Sequence, residues 1–396
     1  MRREQEIVAT YELTPQTEPI ERCVDLLLNE MTSGIQYYST RKGLVMDRIR
    51  DHVPFVNNAV FGEVISIEGR DNGSFQVIFG IPSTNIDPAL GGITNLWPIV
   101  AGEVFNFYFI KKARLVDLVL PDLFMKTYLG PKYGIKGIRD VLKLGAAPLF
   151  GAIIKPNLGL DPKETSEVAK NLALAGFDFV KDDEISVSPQ LCPLGKRVQM
   201  IAKELDRASQ QTARRMLYMA NVTTDFATLE VAASTALNAG AGGLMIDPFC
   251  TGMSAIDYLR RQFGKPIYVH RVGYGLSCLG HDYSVSYEVF NKLFRLFGAD
   301  FSHVGGIWGG SSDARPKTAR YLDILRGTLL GSNAPLETWP VVSGISLENM
   351  ADYYEFYGNN TLFLDHIEIY HDMESARNKL QSLKKCLSPI GLGGAH

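Results

Sequence analysis

The chain has 396 residues, 46% of them hydrophobic and 21% charged, with a formal net charge of −3 at pH 7. That is the composition of an ordinary globular protein, and it lacks the basic footprint that a nucleic-acid partner calls for. No apolar run reaches the roughly 18 residues of a membrane span, so no membrane partner is expected either. The opening segment MRREQEIVATYEL has no apolar signal-peptide core. The five cysteines, Cys23, Cys192, Cys250, Cys278 and Cys386, are scattered without metal-type spacing. Reduced thiols and a cytoplasmic location are the expectation. Residues 1–125 mix strand-like runs at 7–13, 59–67, 75–80 and 115–120 with helical patterns at 19–31 and 97–107. This predicts a small α+β domain of ferredoxin-like type.

A connector with Pro131 and Gly134 leads to a short helix at 138–143, and a steady rhythm then begins. Apolar runs recur at 148–155, 177–183, 216–222, 243–247, 266–271, 301–304, 339–343 and 361–365. Helical patterns lie between them, at 162–174, 194–210, 226–239, 255–263, 285–297, 316–330 and 347–357. Strands alternating with helices in this way predict a (β/α)₈ TIM barrel over residues 126–396, of the α/β class, preceded by the smaller domain. A barrel of this kind takes about 250 residues, which leaves room for one further small domain.

Several strand ends are polar in a way a core does not require: Lys155, the group Lys181-Asp182-Asp183-Glu184, Asn221, Asp247, His270-Arg271 and His303. Barrel enzymes place catalysis at the C-terminal ends of the strands, so convergence of these residues reads as a site. Lys181 and Asp183 share a strand face, by the period of two. Taken alone, the charged group permits a structural ion pair or a divalent-metal site. Carboxylate oxygens suit Mg²⁺, whereas an ammonium cannot ligate a metal unless the lysine is deprotonated or modified, for instance to a carbamate.

The run Gly151-Ala-Ile-Ile-Lys155-Pro-Asn157-Leu-Gly-Leu160, the strand Phe177-Asp-Phe-Val-Lys181-Asp-Asp183-Glu184, the pair His270-Arg271 and the sequence Asp300-Phe-Ser-His303 together resemble the large subunit of ribulose bisphosphate carboxylase (RuBisCO). The resemblance implies roles residue by residue. Lys181 matches a lysine carbamylated by CO₂, and Asp183 and Glu184 match the carboxylates that complete a Mg²⁺ site with it. Lys155 matches a proton-transfer base, His270 a contact to substrate hydroxyls, and Arg271, His303 and Ser343 a phosphate pocket. Gly344 is what remains of the second phosphate pocket, and Glu30 matches a glutamate lent to a partner's active site. At least a homodimer, or a higher oligomer of dimers with shared sites, is implied.

The departures matter equally. Asn157 stands where the carboxylase has a second lysine, and Glu103 replaces an asparagine that contacts metal and substrate, which implies a substrate-binding residue in trans, like Glu30, that could be a further ligand or acid-base group. Ile35-Gln36 replaces a Thr-Trp pair. The loop after strand six, Gly305-Gly-Ile-Trp308-Gly-Gly310-Ser, has no lysine before Lys317. Leu364-Asp365-His366-Ile367 replaces a glycine run, and Asp365 is expected to repel a second phosphate. The pattern resembles a RuBisCO-like protein (type IV) without carboxylase activity. Mg²⁺-dependent enolase or isomerase chemistry on a phosphorylated ketose or diketone, via an enediolate, is the expected function. Two alternatives stand beside it: a decarboxylase or C–C lyase of a 3-oxo sugar acid phosphate, and a non-catalytic scaffold or regulator.

Overall fold

A computed structural model describes residues 6–32, 62–308, 313–327, 336–365 and 370–387. The chain divides into two compact units. The first contains β1 (Glu6–Pro15), a helix at Ile20–Glu30, β2 (Glu63–Gly69), β3 (Phe75–Pro82), a helix at Gly92–Ala101 and β4 (Ile110–Val119). In β1 the side chains of Ile7, Ala9, Tyr11 and Leu13 are buried, and the alternate residues are only half-buried. The antiparallel order β4-β1-β3-β2 in a βαββαβ sequence is the ferredoxin-like arrangement expected for this segment. Residues 59–61 of the predicted second strand lie outside the described residues, as does the Ile35-Gln36 pair.

The second unit holds the barrel. Its strands are β5 (Leu149–Ile153), β6 (Phe179–Lys181), β7 (Leu217–Asn221), β8 (Gly243–Ile246) and β9 (Ile267–Val269). After β10 (Tyr283–Val285) come β11 (Phe301–His303), β12 (Trp339–Ser343) and β13 (Leu362–Asp365). Strands β5–β9 and β11–β13 form the closed barrel, in parallel pairs that end with β13 against β5. Strand β10 belongs to the first unit, where it runs parallel to β4. The repeat pattern reads residues 285–297 as helix, but the helix is Tyr287–Phe297. Val285 is taken into β10 because the edge groups of β4 need partners: Ala113 N–H donates to Asp282 O at 2.8 Å, and Ser286 N–H donates to Leu115 O at 2.9 Å.

The barrel interior is filled by Leu149, Ile153, Phe179, Leu217, Met219, Met245, Tyr268, Phe301, Trp339, Val341, Leu362 and Leu364. Ile135, Ile138 and Leu142, from the helix Gly134–Leu142, close one end. That end is tied by Asp300, whose carboxylate accepts from the N–H groups of Tyr133, Gly134 and Ile267 at 2.8–3.0 Å. Counting by twos from these inward residues places Lys155, Lys181, Asp183, Asn221, Asp247, His270, His303 and Ser343 inward at the opposite, C-terminal end. The same count turns Asp182 and Asp365 outward, toward the helices. All five cysteines are free, and no described helix is long and apolar enough to cross a membrane.

Candidate active site

Helix Pro162–Ala175 starts on a capping box in which Asp161 and Glu164 satisfy each other's backbone N–H groups. It ends at Gly176, whose φ of 99° lets the chain reverse and enter β6 directly. Behind β6, Asp182 faces the helices and accepts from Arg197 at 3.0 Å, from the Tyr218 hydroxyl at 2.9 Å and from Asn221 N–H at 3.0 Å. This buried ion pair fixes the strand end and turns its neighbours Lys181 and Asp183 inward.

Lys181 is fully buried. Its Nζ donates to Asp182 O at 3.0 Å, lies 4.0 Å from Glu184 Oε2, and sits 5.7 Å over the Tyr268 ring. Burial lowers its pKa to about 8, against the pull of Glu184, Asp183 and Asp182 in the other direction. A neutral amine is therefore within reach at slightly alkaline pH. The Asn221 amide donates to the carbonyls of Asp183 and Glu184 at 3.0 and 2.9 Å, which holds the two carboxylate-bearing residues in register. Asp183 is occupied by a different lysine from the one two positions before it: Lys155 Nζ donates to Asp183 Oδ2 at 2.7 Å and also to Asn157 Oδ1.

His270 and His303 are held alike. Val272 N–H donates to His270 Nδ1 at 3.3 Å, and Gly305 N–H donates to His303 Nδ1 at 3.2 Å. Each ring, when neutral, therefore carries its proton on Nε2. His303 Nε2 meets Ser343 Oγ at 3.1 Å, while His270 Nε2 lies 3.7 Å from Glu184 Oε2. Burial, followed by the nearby cations Lys181, His303, Arg271 and Lys155, keeps the His270 pKa well below the usual histidine range. Its approaches to Glu184 and to Asp247, 3.6 Å from Nδ1, are thus contacts of a neutral ring. Asp247, raised by burial to a pKa of about 7, sits in the same group although the sequence reading gave it no role. Its signal was the polar end of a strand, shared with Asn221.

Arg271 lies beside this cluster, 10% exposed, donating to Val304 O at 3.0 Å and to Asp313 Oδ2 at 3.2 Å. Gly344, at a φ of 79°, follows Ser343 and accepts from the Asn349 side chain at 2.9 Å. The structure thus connects Lys155, Lys181, Asp183, Glu184, His270, His303 and Ser343 through a chain of contacts. Glu30 and Glu103 belong to the first unit, where Glu30 closes the helix Ile20–Glu30 and Glu103 opens a 3₁₀ turn. Burial and then the Glu103 charge raise the Glu30 pKa. One expectation is corrected: Asp365 does not guard the strand-eight end against phosphate. It is fully buried on the helix side, accepting from the Tyr370 hydroxyl at 2.5 Å with Lys379 Nζ at 4.0 Å. Residues 309–311 and His366-Ile367, also part of the sequence comparison, lie outside the described residues.

Residues 134–362 match the family described as ribulose bisphosphate carboxylase large chain, catalytic domain. A 3-oxo-isoapionate-4-phosphate transcarboxylase/hydrolase of Xanthobacter autotrophicus is 31% identical over 344 residues, covering 85% of this chain and 81% of that protein. A ribulose bisphosphate carboxylase-like protein of Bordetella bronchiseptica is 34% identical over 196 residues, 50% of this chain and 46% of its own, so the chain spans about half of that relative. The octameric RuBisCO of Pyrococcus horikoshii superposes with a TM-score of 0.86, covering 98% of this chain and 91% of that one, at 21% identity.

Proposed function

The chain belongs to the ribulose bisphosphate carboxylase large-chain family, and from that premise we propose that it is a Mg²⁺-dependent RuBisCO-like enzyme performing enolisation on a small phosphorylated ketose or diketone. The observation that carries this reading is the buried Lys181 amine beside Asp183 and Glu184 at the inward end of β6, facing His270 and His303. Among the described residues no three His, Cys, Asp or Glu side chains form a ready metal site. Asp183 and Glu184 are two oxygen donors of the kind Mg²⁺ takes. The third is made when CO₂ adds to the neutral Lys181 amine: an N–C bond forms, a proton leaves, and a carbamate oxygen replaces a cation. The donor set then fits the ion.

When bound, the ion supplies Lewis-acid polarisation of a substrate carbonyl. The chain's own residues do the rest. Lys155, freed from Asp183 when that carboxylate holds the ion and having given up its own ammonium proton to solvent, would take a proton as a neutral amine from the carbon next to the carbonyl. His270 and His303, each an Nε2–H donor, orient substrate hydroxyls, and Arg271 with His303 and Ser343 binds the phosphate. Glu30 and Glu103 act, in this reading, at the barrel of a second copy in a head-to-tail dimer or an assembly of such dimers.

A second reading has a specific observation in its favour. The Xanthobacter relative, matched along 85% of the chain, is named for a transcarboxylase/hydrolase acting on a 3-oxo acid phosphate. Cleavage of a C–C bond next to a ketone produces the same enolate from a different bond, so the same residues serve decarboxylation or lyase chemistry. Solvent deuterium exchange into phosphorylated ketoses, set against CO₂ release from 3-oxo acid phosphates, separates the two. Neither signal, with Mg²⁺ and bicarbonate present, would exclude both and leave the scaffold alternative.

The rate of CO₂ addition gives a pH prediction. The neutral amine reacts, and its fraction follows a pKa of about 8. At fixed dissolved CO₂ the initial rate of carbamate formation, read by ¹³C NMR, is expected to climb through a midpoint of about 8 and to flatten about one pH unit above it. A rate still climbing at pH 10 would show a lysine with an ordinary pKa.

A further inference from the structure

Arg271 already has an anion. Its guanidinium is pinned from two sides: Nη1 donates to Val304 O, and the backbone of Gly305 lies so close that a Cβ at that position would collide with the guanidinium. Asp313 Oδ2 meets the same Nη1 at 3.2 Å, and its Oδ1 accepts from Lys317 Nζ at 3.0 Å, one helical turn on. The Asp313 side chain is 6% exposed. Arg271, Asp313 and Lys317 thus form a charge triad, cation–anion–cation, at the mouth of β9 and β11. The helix Arg315–Arg326 that carries Lys317 anchors it.

We propose that Asp313 is a specificity-determining residue that acts as an internal competitor for Arg271, so that this subsite admits a phosphate and rejects a carboxylate. The inference rests on the reading of Arg271 as the substrate's anion site, and it narrows the substrate class. A tethered carboxylate is present at high effective concentration. A substrate carboxylate brings the same chemical group, with the same single charge, and gains nothing over it. A phosphate monoester brings nearly two charges and three acceptor oxygens, so it displaces Asp313 and leaves that side chain neutralised by Lys317. The triad therefore discriminates by requiring an anion stronger than its own.

The test is binding of inorganic phosphate and of acetate to the full chain, by calorimetry, in the wild type and in D313N, K317M and R271M. Wild-type protein is expected to bind phosphate and not acetate. D313N, with the competitor neutralised, should bind phosphate about tenfold more tightly, the scale of one hydrogen bond between charged groups, and should gain measurable acetate binding. K317M should bind phosphate more weakly, because the displaced Asp313 loses its alternative cation, and R271M should not bind it. If D313N folds poorly, D313S makes the same neutralisation with a smaller side chain, and the K317M sign is an independent check. Wild-type binding lost in R271M but unimproved in both D313N and D313S would overturn the role of Asp313 and leave the anion site standing. Absence of phosphate binding in every variant, or wild-type-like binding in R271M, would overturn the anion-site reading and this inference with it.

Discussion

Lys155→Met is expected to slow deuterium exchange into a phosphorylated ketone substrate by about 10²–10⁴-fold, the contribution of one positioned base, while tightening Mg²⁺ binding. The opposite signs come from one contact. Lys155 Nζ sits 2.7 Å from Asp183 Oδ2, so the ammonium and a metal ion compete for the same carboxylate. Asp183 is buried and the Lys155 side chain is 19% exposed, so the pair is weakly screened. Removing the lysine frees Asp183, and about a tenfold gain in Mg²⁺ affinity is expected, the scale of a hydrogen bond between charged partners. Methionine keeps the length of the side chain and donates nothing. Metal titration by calorimetry, alongside exchange followed by mass spectrometry, checks both halves. Weaker Mg²⁺ binding in the variant would make Lys155 a support for the site and not its competitor.

Lys181→Met is expected to lose Mg²⁺ binding and activity together while making the folded chain more stable. The ammonium of Lys181 is fully buried, and burial holds its pKa at about 8 against an ordinary 10.5. That depression corresponds to roughly 3 kcal/mol against the charged form. Below a pH of about 8 the folded chain must carry a proton that the unfolded chain holds more readily, and the full penalty applies. Between about 8 and 10.5 the penalty fades as the unfolded lysine also loses its proton. A methionine of similar volume removes it. The variant should therefore unfold at higher denaturant concentration than wild type near neutral pH, with the difference shrinking toward pH 10. A functional lysine kept at a stability cost fits an active site. A variant less stable than wild type at pH 7 would instead give Lys181 a structural role.

The period of two explains how much of the site was legible in sequence. Apolar runs ending in Lys155, Lys181-Asp182-Asp183, Asn221, Asp247, His270 and His303 located both the barrel strands and the end where chemistry gathers. Applied through β13, the same count turns Asp365 outward, since Leu362 and Leu364 face in. Buried on that side with Tyr370 and Lys379, it does not face a phosphate at the barrel mouth. What the sequence did not disclose is which charges neutralise which. Nothing in the adjacency of Lys181 and Asp183 says that Asp183 bonds to Lys155, 28 positions away. Asp313 lies outside any strand pattern, and nothing in the sequence pairs it with Arg271, 42 positions earlier. Strand β10 was illegible for a related reason: three residues carry no periodicity, and its pairing is set by the open edge of β4.

A common design runs through these contacts. Asp183 is covered by Lys155, and Arg271 by Asp313, which Lys317 also holds, so the charged groups that the proposed chemistry uses have internal partners until stronger ones arrive. This removes the cost of isolated buried charge, and it makes metal and substrate binding exchange reactions.

The most direct test is a crystal structure of the wild-type chain grown with Mg²⁺ and bicarbonate near pH 8. The predicted result is a carboxylate group on Lys181 Nζ, an ion between it, Asp183 and Glu184, and Lys155 withdrawn from Asp183. An unmodified Lys181 with Lys155 still bonded to Asp183 under those conditions would contradict the proposed enolisation site.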